Sequence, residues 1–559
     1  MSADDIQSPE GTTSTPTATI PTFDPGVTPG DAPLPSDPSA TVGAATHHGS
    51  RTREFLAPHS KFYQGGFGRM FPDLPPWVPP GASDESKVEV IRQIAEMMFE
   101  EGRFDPDLDN PRIPSGYTYF GQFVDHDITF DPASSMQRHN DPEGLHNFRT
   151  PKFDLDNLYG EGPDDEPFLY DHAAGREGAF LIGKGRDVVG VDPPMPVDAV
   201  VDMRTLALTE EDDLPRNEQG KALIGDMRND ENIIVSQMQL VFLKLHNRLL
   251  EHVVTQEGLS HRQAYLRAQN LVRWHYQWVV LFDFVKRLAG EEMLNGVISR
   301  AEAAFTNNAH LTVAPYDINL RFYGWRYSPF MPVEFSAAAY RLGHSMVRQR
   351  YDLNNVVKAR PIFSDVDDPE GLPEVLKDLR GFRPLPPQWT LDWDLYLGDG
   401  PDMQPSRKID TRLAPGLRTL PVNVAGHGGA TSLAFRNLLR GFRMGLPSGQ
   451  AVARAMGVRR ARIQEVEDGW DHEALGHEMP LWHYILKEAE IGGGEMLGPV
   501  GGRIIAEVFT GLAKGDPNCF LNIDPGWTPA QAGASGEQII PFDGDLELKD
   551  LVDYALGVT

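Results

Sequence analysis

The chain has 559 residues, a formal net charge of −29 and a single cysteine. That length can bury a large core, the acidity argues against nucleic acid and anionic membranes as partners, and one thiol, Cys519, excludes an internal disulfide framework or a Cys-rich metal site. The start, Met1-Ser2-Ala3-Asp4-Asp5, lacks a basic-then-apolar leader and no run is apolar enough to span a bilayer, so the reading predicts a soluble chain without a Sec-type signal peptide or transmembrane anchor, cytoplasmic or exported by a leaderless route.

Residues 1–50 are rich in Pro, Thr, Ser, Gly and Asp and poor in large apolar residues, which predicts a disordered tail unable to offset its ordering entropy. Residues 51–559 then read as one domain. Apolar residues three and four apart predict helices over Val88–Glu101, Asn232–Glu251, His261–Leu288, Phe335–Arg348, Thr431–Arg443 and Gly502–Leu512. Strand-type alternation is scarce, and Pro-rich loops such as Asp187–Val197 and Arg380–Pro387 are long. The fold class is mainly α: a single large helical domain with long loops, suited to a helix-built cofactor pocket.

Five segments carry candidate chemistry. In Gly121-Gln122-Phe123-Val124-Asp125-His126-Asp127, helical spacing puts Gln122 and His126 on one face, Asp125 beside it and Asp127 elsewhere. In Thr150-Pro151-Lys152-Phe153-Asp154-Leu155-Asp156, alternate residues offer oxygen ligands of the kind calcium takes. Arg228 and Glu231, in Gly225-Asp226-Met227-Arg228-Asn229-Asp230-Glu231-Asn232, can project together, or can form an acidic helix start with a surface ion pair. Gly343 in Tyr340-Arg341-Leu342-Gly343-His344 lets a flat ring approach His344, or simply lets two helices pack. Asn437 and Arg440, in Leu433–Gly441, share a face that is either solvated or functional.

Taken in order, these motifs resemble those of the animal-type haem peroxidase (peroxidase–cyclooxygenase) superfamily, over about Phe62 to Pro499, and the bacterial branch more than the vertebrate one. The resemblance implies a haem b cofactor ligated by His344, with Asn437 accepting a hydrogen bond from its imidazole and with Arg341 and Arg440 around the haem, Arg440 on a propionate. It implies His126, Arg228 and Gln122 as the catalytic group. Asp125 and Glu231 are the carboxylates through which haem can be ester-linked, and Asp127, Thr150, the Lys152 carbonyl, Asp154 and Asp156 form a calcium site. The implied reaction uses hydrogen peroxide to oxidise small electron donors through an oxoferryl species.

Departures refine this. Asn232 stands where myeloperoxidase has a haem-linked methionine, which shifts the expected donors from chloride to bromide, iodide, thiocyanate or phenols. Phe442-Arg443-Met444 replaces an Arg-Asp-His of the vertebrate members. Two alternatives were weighed on single residues. A fatty-acid dioxygenase of the same superfamily needs a tyrosine at position 341, where this chain has arginine with Tyr340 one residue out of register. A peroxinectin-like adhesion protein finds only Lys514-Gly515-Asp516 in its favour. Nothing in the sequence indicates an oligomeric state.

Overall fold

The computed structural model describes residues 66–101, 105–130, 147–184, 186–187, 207–208, 212–300, 316–325, 328–364, 376–386, 388–421 and 430–558. The chain from Ala57 onward forms one compact unit, and the tail expected over residues 1–50 lies outside the described residues. Helix α1 (Asp84–Glu96) starts ahead of the predicted Val88, because Ser83 and Ser86 cap each other reciprocally. Helix α2 is Gly116–Ile128. Helix α3 (Ile233–Thr255) starts where Asn232 turns its side-chain oxygen onto the Ile234 N–H. Helix α4 (His261–Val279) continues through a π-turn, Val280–Phe284, into Val285–Ala289, so the predicted His261–Leu288 holds as a single rod. The remaining long helices are α5 (Leu433–Arg443), α6 (Leu481–Glu490), α7 (Pro499–Gly515) and α8 (Leu548–Leu556). Among the described residues, strands occur only as two-stranded pairs, and no helix is long and apolar enough to cross a membrane.

One prediction is corrected. Phe335–Arg348 is not an α-helix: a single turn, Val333–Ser336, breaks at Ala337–Ala338 and is followed by a 3-10 turn, Ala339–His344. Tertiary contacts explain the break. Tyr340 stacks on Phe335 at 4.8 Å and donates its hydroxyl to the Gly121 carbonyl of α2 at 2.9 Å. A continuous α-helix would present the two rings on different faces.

The core is aromatic where α2, α3, α4 and α7 meet. Phe123 stacks on Phe242 at 4.7 Å, Tyr276 meets Phe123 edge-on, and Phe509 of α7 lies 5.2 Å from Tyr340 and 5.4 Å from Phe335. Phe509 therefore bolts the 3-10 turn to the helical core and is fully buried. Phe509→Ala is expected to cost about 3–5 kcal/mol, read as a fall in the urea midpoint with unchanged slope.

Candidate active site

Helix α2 carries His126 inward at 4% exposure. Its Nδ1 lies 2.6 Å from the Asn229 Oδ1, and the Asn229 amide donates to the Gln239 Oε1 at 2.7 Å. An amide oxygen can only accept, so Nδ1 carries the proton and Nε2 is left with a free lone pair. Burial, helped by the Arg228 charge, pulls the imidazole down to about 4, which keeps it a neutral base at ordinary pH.

The other distal groups cluster around this ring. Glu231 Oε1 lies 3.8 Å from the His126 Nε2 and accepts from the Gln122 amide. Burial lifts its carboxyl to about 7. Arg228 donates from Nη2 to the His126 carbonyl at 3.0 Å, and its guanidinium lies 4.5 Å over the Phe130 ring. Arg228 is held by Asp226 at 2.7 Å, and Arg149 reaches the same carboxylate while also touching Asp156 at 3.2 Å. Burial pushes the Asp226 carboxyl up, but the two guanidinium groups outweigh it and hold it well below the usual carboxylate range.

The 3-10 turn ends on His344. Asn437 of α5 places its amide 2.7 Å from the His344 Nδ1. Nδ2 faces the ring there; a half-turn of the amide substitutes Oδ1, which accepts a hydrogen bond from Nδ1–H and frees Nε2 for a metal. Burial first, then Arg341, pulls His344 down to about 3, while Asp125 acts in the other direction on both His344 and His126. Arg341 donates to the Ser336 carbonyl at 2.9 Å, and Arg440 is half-buried one turn beyond Asn437. Of the divergent Phe442-Arg443-Met444, Arg443 pairs with Asp84 at the start of α1 at 2.6 Å, Phe442 meets Trp77 edge-on and the Met444 carbonyl accepts from Arg69.

These residues fit a haem. Glu231, His344 and His126 lie deep enough for desolvation to dominate their titration, yet Gln122, Asp125 and His344 are half-open and the Glu231 side chain is 41% accessible. Depth combined with accessibility means that they face an internal gap. A Cβ built on Gly343 would meet nothing within 4 Å, so the space beside His344 is open as a flat cofactor requires.

A second cluster lies on the far face of α2. Asp127, Asp154 and Asp156 bring carboxylate oxygens within 4.8 Å of one another. Leu155, fully buried, takes a left-handed φ of 55°, which turns both flanking aspartates to the same side at a strain of about 1–3 kcal/mol. Thr150 donates to Asp154 at 2.8 Å and Tyr276 to Asp127 at 3.0 Å, while Asp127 Oδ1 and Asp154 Oδ1 are buried without a hydrogen-bond partner. Burial and the neighbouring carboxylates raise Asp127; burial lifts Asp156 to about 7 against the pull of Arg149. Unpartnered, mutually repelling oxygens suit a hard cation. Lys152, whose carbonyl the resemblance assigned to this site, is half-buried in the same loop.

Sequence reasoning assigned no role to Asn229, Gln239, Asp226 or Arg149. A signal existed for Gln239: it is a polar residue with 0% exposure inside the apolar run of α3, and such a residue needs a buried partner. The structure also speaks to the two alternatives. The Tyr340 hydroxyl is engaged with Gly121, and position 341 offers no phenol. Asp516 of the adhesion-type tripeptide is 1% exposed and accepts from the Asn518 N–H, so the tripeptide is folded into the end of α7.

The fold and site define a class: a mainly helical protein with two buried histidines, His126 held through Nδ1 by Asn229 and His344 by Asn437. The family model of the animal haem peroxidases matches residues 136–532, and the chain belongs to that family, membership of which implies haem. The match contains Arg228, Glu231, His344 and Asn437, and begins just after the α2 motif. Heme peroxidase 2 of Caenorhabditis elegans is 22% identical over 317 residues, 54% of this chain and 40% of that protein. Chorion peroxidase of Drosophila melanogaster is 23% identical over 324 residues, 56% of this chain and 37% of that one. The chain thus spans well under half the length of these curated relatives. Among solved structures, peroxidase A of Dictyostelium discoideum has a TM-score of 0.54 at 17% identity, covering 83% of this chain and 91% of that one. A fatty acid alpha-dioxygenase of Arabidopsis thaliana also has 0.54, at 15% identity, covering 88% and 77%. These likenesses show the fold, which peroxidases and dioxygenases share.

Proposed function

We propose that the protein is a haem-dependent peroxidase that uses hydrogen peroxide to oxidise small donors. The observation that carries this reading is His126, held as a neutral base by Asn229 on its Nδ1, in a chain whose His344 is held in the same way by Asn437. Haem held through His344 supplies, when bound, the two-electron reduction of peroxide and the oxidation of the donor. His126 Nε2 takes the proton from the near peroxide oxygen and returns it to the far oxygen, which departs as water. Arg228 stabilises the charge on the departing oxygen from a low-dielectric wall. Gln122 orients the distal water or a halide.

Several finer assignments go with this reading. Asn232 is used up capping α3 and provides no sulfur link to haem, which favours bromide, iodide, thiocyanate or phenols over chloride. Asp125 and Glu231 are the carboxylates for ester bonds to haem. Asp127, Thr150, Lys152, Asp154 and Asp156 hold calcium. Arg341 and Arg440 serve the haem periphery.

The test is the absorption spectrum of the haem-loaded protein, followed by rapid mixing with peroxide and then bromide or a phenol. A Soret band that shifts with peroxide and returns with donor is the expected result. Bound haem that ignores peroxide but consumes oxygen with a fatty acid overturns the reading in favour of a dioxygenase.

A further inference from the structure

The distal imidazole has two nitrogens, and peroxide chemistry needs one of them unprotonated and aimed into the gap. Nothing in α2 itself selects which. The selection comes from outside the helix: Asn229 is fully buried, its Oδ1 stands 2.6 Å from the His126 Nδ1, and its Nδ2 is committed to the Gln239 Oε1 at 2.7 Å. Gln239 is itself fully buried on α3, with its Nε2 unpartnered. Two amides in series therefore run from the helical core to the back of the histidine ring.

We propose that Asn229, clamped by Gln239, is a positioning residue that fixes His126 as the Nδ1–H tautomer and points its Nε2 into the gap. The inference rests on the peroxidase reading of the site and adds a residue pair to it. The chemistry is that of an oriented base: an imidazole hydrogen-bonded through one nitrogen cannot spin about Cβ–Cγ, and an oxygen acceptor leaves only Nε2 free to receive a proton. Asn229 acts through His126, its Oδ1 on the ring Nδ1 and its Nδ2 on Gln239. Reversed, with Nδ2 facing the ring, its Oδ1 is satisfied only when the Gln239 amide also turns and donates its Nε2. That setting would leave the proton on Nε2 and the base disabled, so the atom facing the ring decides the role.

Cyanide association with the ferric holoenzyme reads this directly, without turnover, because hydrogen cyanide must give a proton to the distal base as it binds. The comparison is among the parent, His126→Ala, Asn229→Leu and Asn229→Asp, each with haem content measured. Asn229→Leu keeps the volume and loses the acceptor; the association rate is expected to fall about ten-fold or more, toward that of His126→Ala. Asn229→Asp can present only oxygen to the ring, and the unpartnered Gln239 Nε2 can turn to donate to it, so this variant should stay within about three-fold of the parent. Gln239→Met, which removes only the clamp, should fall between the two and serves if Asn229→Leu does not fold.

A parent-like rate in Asn229→Leu, or in Gln239→Met where that variant stands in, beside a slow His126→Ala overturns this inference and leaves the peroxidase reading intact. Equal slowing in Asn229→Leu and Asn229→Asp overturns it also, since a merely structural amide would lose both. A parent-like rate in His126→Ala instead removes the distal assignment itself.

Discussion

His126→Ala is expected to slow the reaction with hydrogen peroxide by about 10²–10⁴-fold while haem content stays at the parent level. The separation follows from geometry. On the proposed reading haem would be held by His344 and Asn437 on the 3-10 turn and α5, whereas His126 hangs from α2 and touches Asn229 and the surroundings of Glu231. Alanine removes the base and leaves Arg228 on Asp226 and on the residue-126 carbonyl, both of which survive truncation of the side chain. Charge stabilisation therefore persists in the variant, and the loss measures proton transfer alone. The pH dependence carries the same signature. Burial and Arg228 hold His126 at about 4, so the parent rate should fall as the imidazole protonates on descent through about 4. The variant should lack that limb. Stopped-flow absorbance at the Soret band across this range checks both, and a parent-like rate in the variant refutes the role.

The parts of this site that were legible in the sequence are those whose spacing is local. Gln122 and His126 share a face because four residues make about one turn, and α2 forms there as expected. Arg228 and Glu231 lie three apart, on and at the end of a 3-10 turn, Met227–Asp230, just ahead of α3. The miss at Phe335–Arg348 has the opposite origin: over six residues the apolar spacings of an α-helix and a 3-10 turn are nearly alike, and the choice was made by Tyr340 reaching Gly121 more than 200 positions away in sequence.

The Asp154–Asp156 pair shows a subtler limit. Alternation in sequence suggested two side chains on one side of an extended loop, and they do converge, but through a left-handed Leu155 inside a turn. Asn229 stood within a motif that was recognised, yet its partner Gln239 is ten residues on and its target His126 lies 103 residues away. Only folding juxtaposes them. Helices α6 and α8 were not anticipated, although Leu548, Leu551, Val552 and Ala555 carry the three- and four-residue spacing of a buried stripe.

Removing the cation should destabilise the protein in a pH-dependent way, and the sign can be worked out from the carboxylates. In the metal-free fold, Asp156 lies at about 7, and burial and its neighbours raise Asp127 well above the 3.8 of an ordinary aspartate. Groups raised in the fold favour it only while protonated, so their contribution is present below about pH 4 and lost as pH climbs toward 7. A bound divalent ion reverses this, because it holds the same oxygens as carboxylates and competes with protons for them. Chelator-treated protein should therefore lose melting temperature between about pH 5 and 7.5 while calcium-loaded protein does not. The gap at the upper end should correspond to about 3–4 kcal/mol when free calcium exceeds its Kd by 100- to 1,000-fold. Calorimetry at several pH values measures it, and superimposable melts at pH 7.5 would remove the site.

The loss should extend to the peroxide reaction. Asp127 follows His126 on α2, and Arg149 spans from Asp156 to the Asp226 that holds Arg228. With the ion gone, Asp156 protonates near neutral pH and gives up its half of that span, so the base and the guanidinium lose support together. A peroxide reaction that slows on chelation with haem retained, and recovers on adding calcium, is the expected result. A rate indifferent to the ion would leave the carboxylates as a stabilising feature with no part in the chemistry.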